Sequence, residues 1–198
     1  MRMVSRLLLL ALLAIAPAIT SATADEPVQD DIEGWTATCR DAMGKLGKAL
    51  KAELQAAVKA EGDVGALRIC NLEAVPITET ISTEDGLLIG RTSLKTRNPA
   101  NIPDVWERSI LEEFASRRES GESATDLEAW TIITDEIGHR TFRYMRAIPT
   151  APMCLKCHGR RLNDDIAAKI AELYPDDRAT GFKAGDVRGA FTVMLPVD

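Results

Sequence analysis

The chain is short of positive charge, of long apolar runs and of histidine, and each shortage narrows what it can do. Against 24 Lys and Arg stand 30 Asp and Glu, a formal charge of -6. That balance excludes nucleic acid and anionic lipid as natural partners. After the first 24 residues no stretch resembles a membrane-spanning segment. Internal repeats and low-complexity linkers are missing too, so one domain is expected, with no separate output domain in this chain. The 45% of hydrophobic residues suffices for a single core. Histidine occurs only twice, as His139 and His158, and cysteine four times.

What is present begins with a leader. Met1-Arg2-Met3-Val4-Ser5-Arg6 is basic, Leu7 to Ile19 is apolar, and Ala22-Thr23-Ala24 is a small-residue cleavage site. The expectation is a secretory signal peptide over residues 1–24 and a mature domain over 25–198. Cleavage discards Arg2 and Arg6 and no acids, moving the formal charge from -6 to -8. Export to the periplasm, a disulfide-permissive compartment, follows.

The densest signal is Cys154-Leu155-Lys156-Cys157-His158. Shuffling this composition would give a C-x-x-C-H with a probability on the order of one in a thousand, and the motif reads as a c-type haem attachment site. The two thiols would add across porphyrin vinyl groups, and His158 would reach the iron as proximal ligand. Rival readings fare worse. A thioredoxin-like pair wants an early strand-to-helix junction, whereas this motif follows a Pro-rich link. Zinc wants two more ligands at compact spacing, and Cys39 and Cys70 are distant in sequence. A disulfide between cysteines three apart would be strained.

Around the motif the periodicity predicts an α+β domain with a long N-terminal helix, flanking helices and a small antiparallel sheet. Trp35, Cys39, Met43, Leu46, Leu50, Leu54 and Ala57 form one helical stripe. Its bland reading is a helix docked on the core or paired with a second copy, so a homodimer is compatible with it. Cys39 lies on the stripe and reads as a packed thiol. Glu61-Gly62-Asp63 should break the helix, a shorter helix should run from Val64 to Ala74, and Pro76 should interrupt it. A short strand is expected over 86–92. A helix should start at Asp104, with Trp106, Ile110, Leu111 and Phe114 inward. A hairpin over 129–134 and 141–148 should turn Phe142, Tyr144 and Ile148 to one face. A helix over 164–174 and a closing strand over 187–195 complete the order.

A second axial ligand is left open by these patterns. His139 falls in a hairpin turn exposed to water, which argues against two imidazoles on the iron. Cys70, Cys39, Met43, Met145, Met153 and Met194 remain, and Cys39 and Cys70 could instead pair in a disulfide. Arg91, Lys95 and Arg97 could hold haem propionates. A solvated loop with incidental charges explains them equally well.

Several motifs in one order carry a resemblance. They are Gly90-Arg91-Thr92-Ser93-Leu94-Lys95, Arg97-Asn98-Pro99-Ala100-Asn101, Pro103-Asp104-Val105-Trp106-Glu107, Phe142-Arg143-Tyr144, Ala147-Ile148-Pro149, the haem motif with Gly159, Tyr174-Pro175, Ala179-Thr180-Gly181-Phe182 and Arg188-Gly189-Ala190-Phe191. Together they resemble the PAS-like, c-type haem-binding domain family, formerly of unknown function and typified by a secreted cyanobacterial haem protein. The resemblance spans nearly the whole mature chain. It implies a PAS-like fold, one covalent haem c, and a redox or small-ligand sensor of the kind that stands outside the membrane on histidine kinases. The family's helix ending in Ile/Val-Cys and Ala-x-Pro is similar to Ile69-Cys70-Asn71-Leu72-Glu73-Ala74-Val75-Pro76, which implies Cys70 as the distal ligand. No kinase is present, so a signal would pass to a membrane-bound signalling protein or a redox partner. The competing reading is a periplasmic electron carrier with His/Met ligation. A peroxidase-like enzyme would want acid/base groups in an open distal site, and His139 is poorly placed for that. A non-enzymatic haem protein is therefore the expectation.

Overall fold

A computed structural model describes residues 29–197, apart from the side chains of residues 30 and 69–71. The expected leader and the start of the mature chain lie outside the described residues. Helix α1 spans Gln29–Leu72, 44 residues, and is two legs joined at Gly62, whose φ of 74° and ψ of -178° are not helical. This backbone region belongs essentially to glycine, because a Cβ would collide with the neighbouring peptide. The break expected at 61–63 is therefore real, although the two legs follow without a loop.

The first leg docks by the expected stripe. Cys39, Ala42, Met43 and Leu46 are buried against Ile81, Leu87, Ile89, Phe142, Tyr144 and Val193, with Trp35 and Leu50 flanking. The Trp35 ring meets Phe142 at 5.5 Å. Each buried Leu or Phe contributes about 1.5–3 kcal/mol. Helix α2, Ala74–Asp85, starts almost at once. Here the sequence reading needs correction, since Pro76 does not interrupt a helix but sits in the first turn of α2, where no partner for its missing N–H is required. Gly86 closes α2 in the left-handed conformation, φ 65°.

Four strands follow: β1 Leu88–Thr92, β2 Glu128–Thr134, β3 Arg140–Pro149 and β4 Val187–Pro196. They form one antiparallel sheet in the order β1-β4-β3-β2. The β2–β3 turn is held by Asp135, whose carboxylate accepts from the N–H groups of Ile137 and His139 at 3.0 and 2.9 Å. Phe142 and Tyr144 share one face, as expected, and that face packs on α1. The opposite face is buried as well, with Met145, Ala147 and Ala190 packed on Leu111, Phe114 and Leu127. The reason is helix α3, Val105–Glu119, which covers that side. Its capping box is complete: the Asp104 carboxylate accepts from Glu107 N–H at 2.8 Å, and Glu107 accepts from Asp104 N–H at 3.1 Å. A one-turn helix α4, Leu155–His158, and helix α5, Asp164–Leu173, lie between β3 and β4. The architecture is α+β with a small antiparallel sheet and a long N-terminal helix. Among the described residues no helix is long and apolar enough to cross a membrane.

Candidate functional site

The C-x-x-C-H motif is delivered by a chain that stops being a strand. Pro149 ends β3, Pro152 opens a short 3-10 turn over Pro152–Cys154, and α4 supplies one helical turn. Positions three apart on such a turn share a side, so Cys154 and Cys157 leave the backbone together. Both are half-buried and neither forms a disulfide. Gly159 then folds back, its N–H donating to Leu155 O at 2.9 Å. A Cβ there would lie 2.4 Å from that same oxygen, so only glycine fits.

His158 is oriented from behind. Its Nδ1 lies 2.7 Å from Ala179 O. A carbonyl can only accept, so Nδ1 carries the proton and Nε2 keeps its lone pair, the tautomer a metal requires. Burial, then the charges of Arg188 and Arg97, push the imidazole down to about 3, which keeps it neutral at ordinary pH. A second backbone layer backs the motif, with Phe182 N–H donating to His158 O and Gly181 N–H to Gly159 O, both at 3.0 Å. The Phe182 ring stands edge-on to the imidazole at 6.4 Å.

Of the three cations expected to hold acidic groups, the structure places two at the motif. Lys95 Nζ lies 5.1 Å over the Phe182 ring and 3.5 Å from Thr180 O. Arg97 is engaged with protein: it pairs with Asp177 at 2.9 Å and donates to Cys157 O at 2.8 Å. Arg91 sits in β1 opposite Phe191 of β4. Arg188, used in the sequence only as a motif residue, is the cation whose charge acts most on His158. Period-two reading of β4 could not single it out, because the approach of His158 to that strand is a tertiary fact.

The second leg of α1 packs on the same region. Leu67 is buried with Ile166 and Ile170 of α5, and Val64, Leu162, Leu173 and Cys157 flank them. Lys156 Nζ bonds Asp63 at 2.9 Å, next to the break at Gly62. Position 70 is one helical turn beyond Leu67, and the Cys70 side chain lies outside the described residues. Cys39 is 0% exposed and forms no disulfide. Even with the legs folded fully back at Gly62, helical rise keeps residues 39 and 70 about 20 Å apart. A disulfide spans less than about 7 Å between Cα atoms, so these two cysteines of one chain do not pair.

Other ligand candidates are dispersed. Met43 and Met145 are buried in two separate core clusters. Met194 is half-buried on β4 opposite Leu88, and Met153 is exposed beside Cys154. His139 is 64% exposed at the hairpin turn. Among the described residues no three His, Cys, Asp or Glu side chains cluster as a metal site. A depression of about 610 Å³ lined by Ile32, Arg40, Glu128, Trp130 and Tyr144 lies away from the motif.

No curated protein matches the chain. A solved structure, the crystal structure of the cyanobacterial heme-protein Tll0287, has the same fold, with a TM-score of 0.60 and 22% identity over 87% of this chain and 98% of that one. The family model described as Tll0287-like matches residues 14–196, through both legs of α1, all four strands and the C-x-x-C-H motif. The chain belongs to the Tll0287-like family.

Proposed function

We propose that the protein is an exported, non-enzymatic haem protein that carries one covalent haem c and serves as a redox or small-ligand sensor. The single observation that carries the reading is His158, a neutral imidazole held through Nδ1 by Ala179 O, which keeps the Nε2 lone pair available directly after Cys157 in the motif. Cys154 and Cys157 would hold the porphyrin through thioethers to its two vinyl groups. His158 would hold the iron through Nε2. Lys95, over the Phe182 ring, and Arg188, whose charge reaches His158, would neutralise the porphyrin carboxylates, with Arg91 on the neighbouring strand. When bound, the haem supplies a one-electron couple and a coordination site for diatomic ligands.

Cys70 is the distal ligand in this reading. Support comes from the second leg of α1, which carries position 70 and packs on Cys157 and α5. The first leg buries Cys39, where burial pushes the thiol up to about 12, a poor source of thiolate. Met43 and Met145 belong to the cores, which weakens the electron-carrier alternative. A Cys70 thiolate would favour ferric iron more than a methionine ligand would. Loss of the hold through Cys70 would free the second leg to move, which would pass a signal to a membrane-bound signalling protein or redox partner.

Electron paramagnetic resonance of the ferric protein, made in cells with c-type haem maturation, tests this. A low-spin signal with the narrow g-spread of thiolate ligation is expected, and Cys70→Ser should abolish it while mass spectrometry still shows haem attached. A His/Met pattern, or a Cys70→Ser spectrum identical to the parent, would remove Cys70 from the iron.

A further inference from the structure

Arg97 and Asp177 form a buried ion pair, their side chains 11% and 8% exposed, which no step above uses. Each touches the motif through backbone. Arg97 Nε donates to Asp177 Oδ1 at 2.9 Å, and its Nη2 reaches Asp177 Oδ2 at 3.3 Å and Cys157 O at 2.8 Å. The Asp177 carboxylate accepts from Ala179 N–H at 3.0 Å. Ala179 O in turn accepts from His158 Nδ1 at 2.7 Å. The circuit leaves the motif at Cys157 and returns to it at the next residue, His158. Tyr174 closes one side, its ring centroid 5.9 Å from the guanidinium. Arg178 N–H ties the same loop to Thr96 O at 2.9 Å.

We propose that Arg97 and Asp177 are positioning residues for the proximal ligand, a clamp that fixes the Ala179 carbonyl and through it the rotation and donor strength of the His158 imidazole. The inference rests on His158 being the iron ligand. A fixed acceptor on Nδ1–H makes imidazole a stronger donor, and a stronger donor favours ferric over ferrous iron. Arg97 is thereby assigned to the imidazole rather than to a propionate, which leaves that task to Lys95, Arg188 and Arg91.

Deleting one partner would strand a buried charge and shift the potential by field alone, so the test removes both together. In Arg97→Met with Asp177→Ala the net charge is unchanged and the two field effects oppose each other, while the clamp is gone. The expected result is covalent haem retained by mass, with the ferric preference lowered about tenfold, a rise in potential of about 59 mV for one electron. The single low-spin ferric signal should divide into several as the ring loses its orientation. Arg97→Gln with Asp177→Asn, closer in shape, should move both readouts the same way and less. Arg40→Gln with Glu128→Gln, which removes an ion pair elsewhere, should move neither. An unmoved potential and an unchanged signal with haem attached would overturn the clamp and leave the haem reading standing. Loss of haem from both clamp variants would make the pair a structural element and overturn the positioning role. Absence of covalent haem from the unsubstituted protein would overturn the haem reading, and the clamp with it.

Discussion

The two legs of α1 each carry a cysteine, and the contrast between them explains how one helix serves two purposes. The first leg lies along the sheet, where Cys39 is sealed among Met43, Leu46, Phe142 and Tyr144. The second turns away at Gly62 and packs Val64 and Leu67 on α5 and Cys157. Seen as periodicity, both are amphipathic helix. What separates them is a single residue whose backbone no L-side chain adopts cheaply. The first leg anchors on the sheet, and the second packs on α5 and on Cys157 of the motif.

Core truncation should separate the legs most sharply. Leu46→Ala opens a cavity under the sheet and should cost about 3 kcal/mol in urea unfolding, within the range for buried leucines, without altering the ferric spectrum. Leu67→Ala lies in a smaller cluster and should cost about 2 kcal/mol, at the low end of that range, yet broaden the ferric signal. A spectrum indifferent to Leu67 would mean that the second leg does not report on the site. Gly62→Ala places a side chain at φ 74° and should lower stability by about 1–3 kcal/mol. It should also mix a second ferric species into the resonance spectrum, as the legs straighten in part of the population. An unstrained, spectroscopically silent Gly62→Ala would remove the joint from the argument.

The smallest effect belongs to Cys39. Its folded pKa is raised from 9.0 to about 12 by burial, so the thiol binds its proton more tightly folded than unfolded. The stability this contributes is fully present below pH 9 and is lost as pH rises from 9 toward about 12. Cys39→Ala should flatten the alkaline limb of stability against pH relative to the parent. In the native state Cys39 should also resist alkylating reagents, since neither thiolate nor access is available. Rapid labelling at neutral pH would show the first leg to be loosely docked.

Much of this was legible in the chain. The stripe from Trp35 to Leu50, the break at Gly62, the Asp104 cap, the hairpin and the C-x-x-C-H turn are local patterns with local causes. Pro76 was misread because a proline marks a helix interruption and a helix first turn with the same letter. The second buried face of β3 was missed because alternation in one strand cannot say that α3 covers the other side. From the sequence Arg97 reads equally as a propionate holder or as an incidental charge in a solvated loop, because its partner Asp177 is 80 residues away.

The sequence by itself determined the chemistry on offer: two thiols and an imidazole at fixed spacing, an amphipathic helix with a glycine joint, and strands of the right period. These depend on torsions and side-chain order within a few residues. Only the tertiary structure decided that Cys39 is sealed, that the second leg meets the motif, that Cys39 and Cys70 are too far apart to pair, and that Ala179 faces His158 with Arg97 and Asp177 behind it. Those are contacts between segments distant in the chain, set by how the helices and loops pack around one sheet, and no local pattern encodes them.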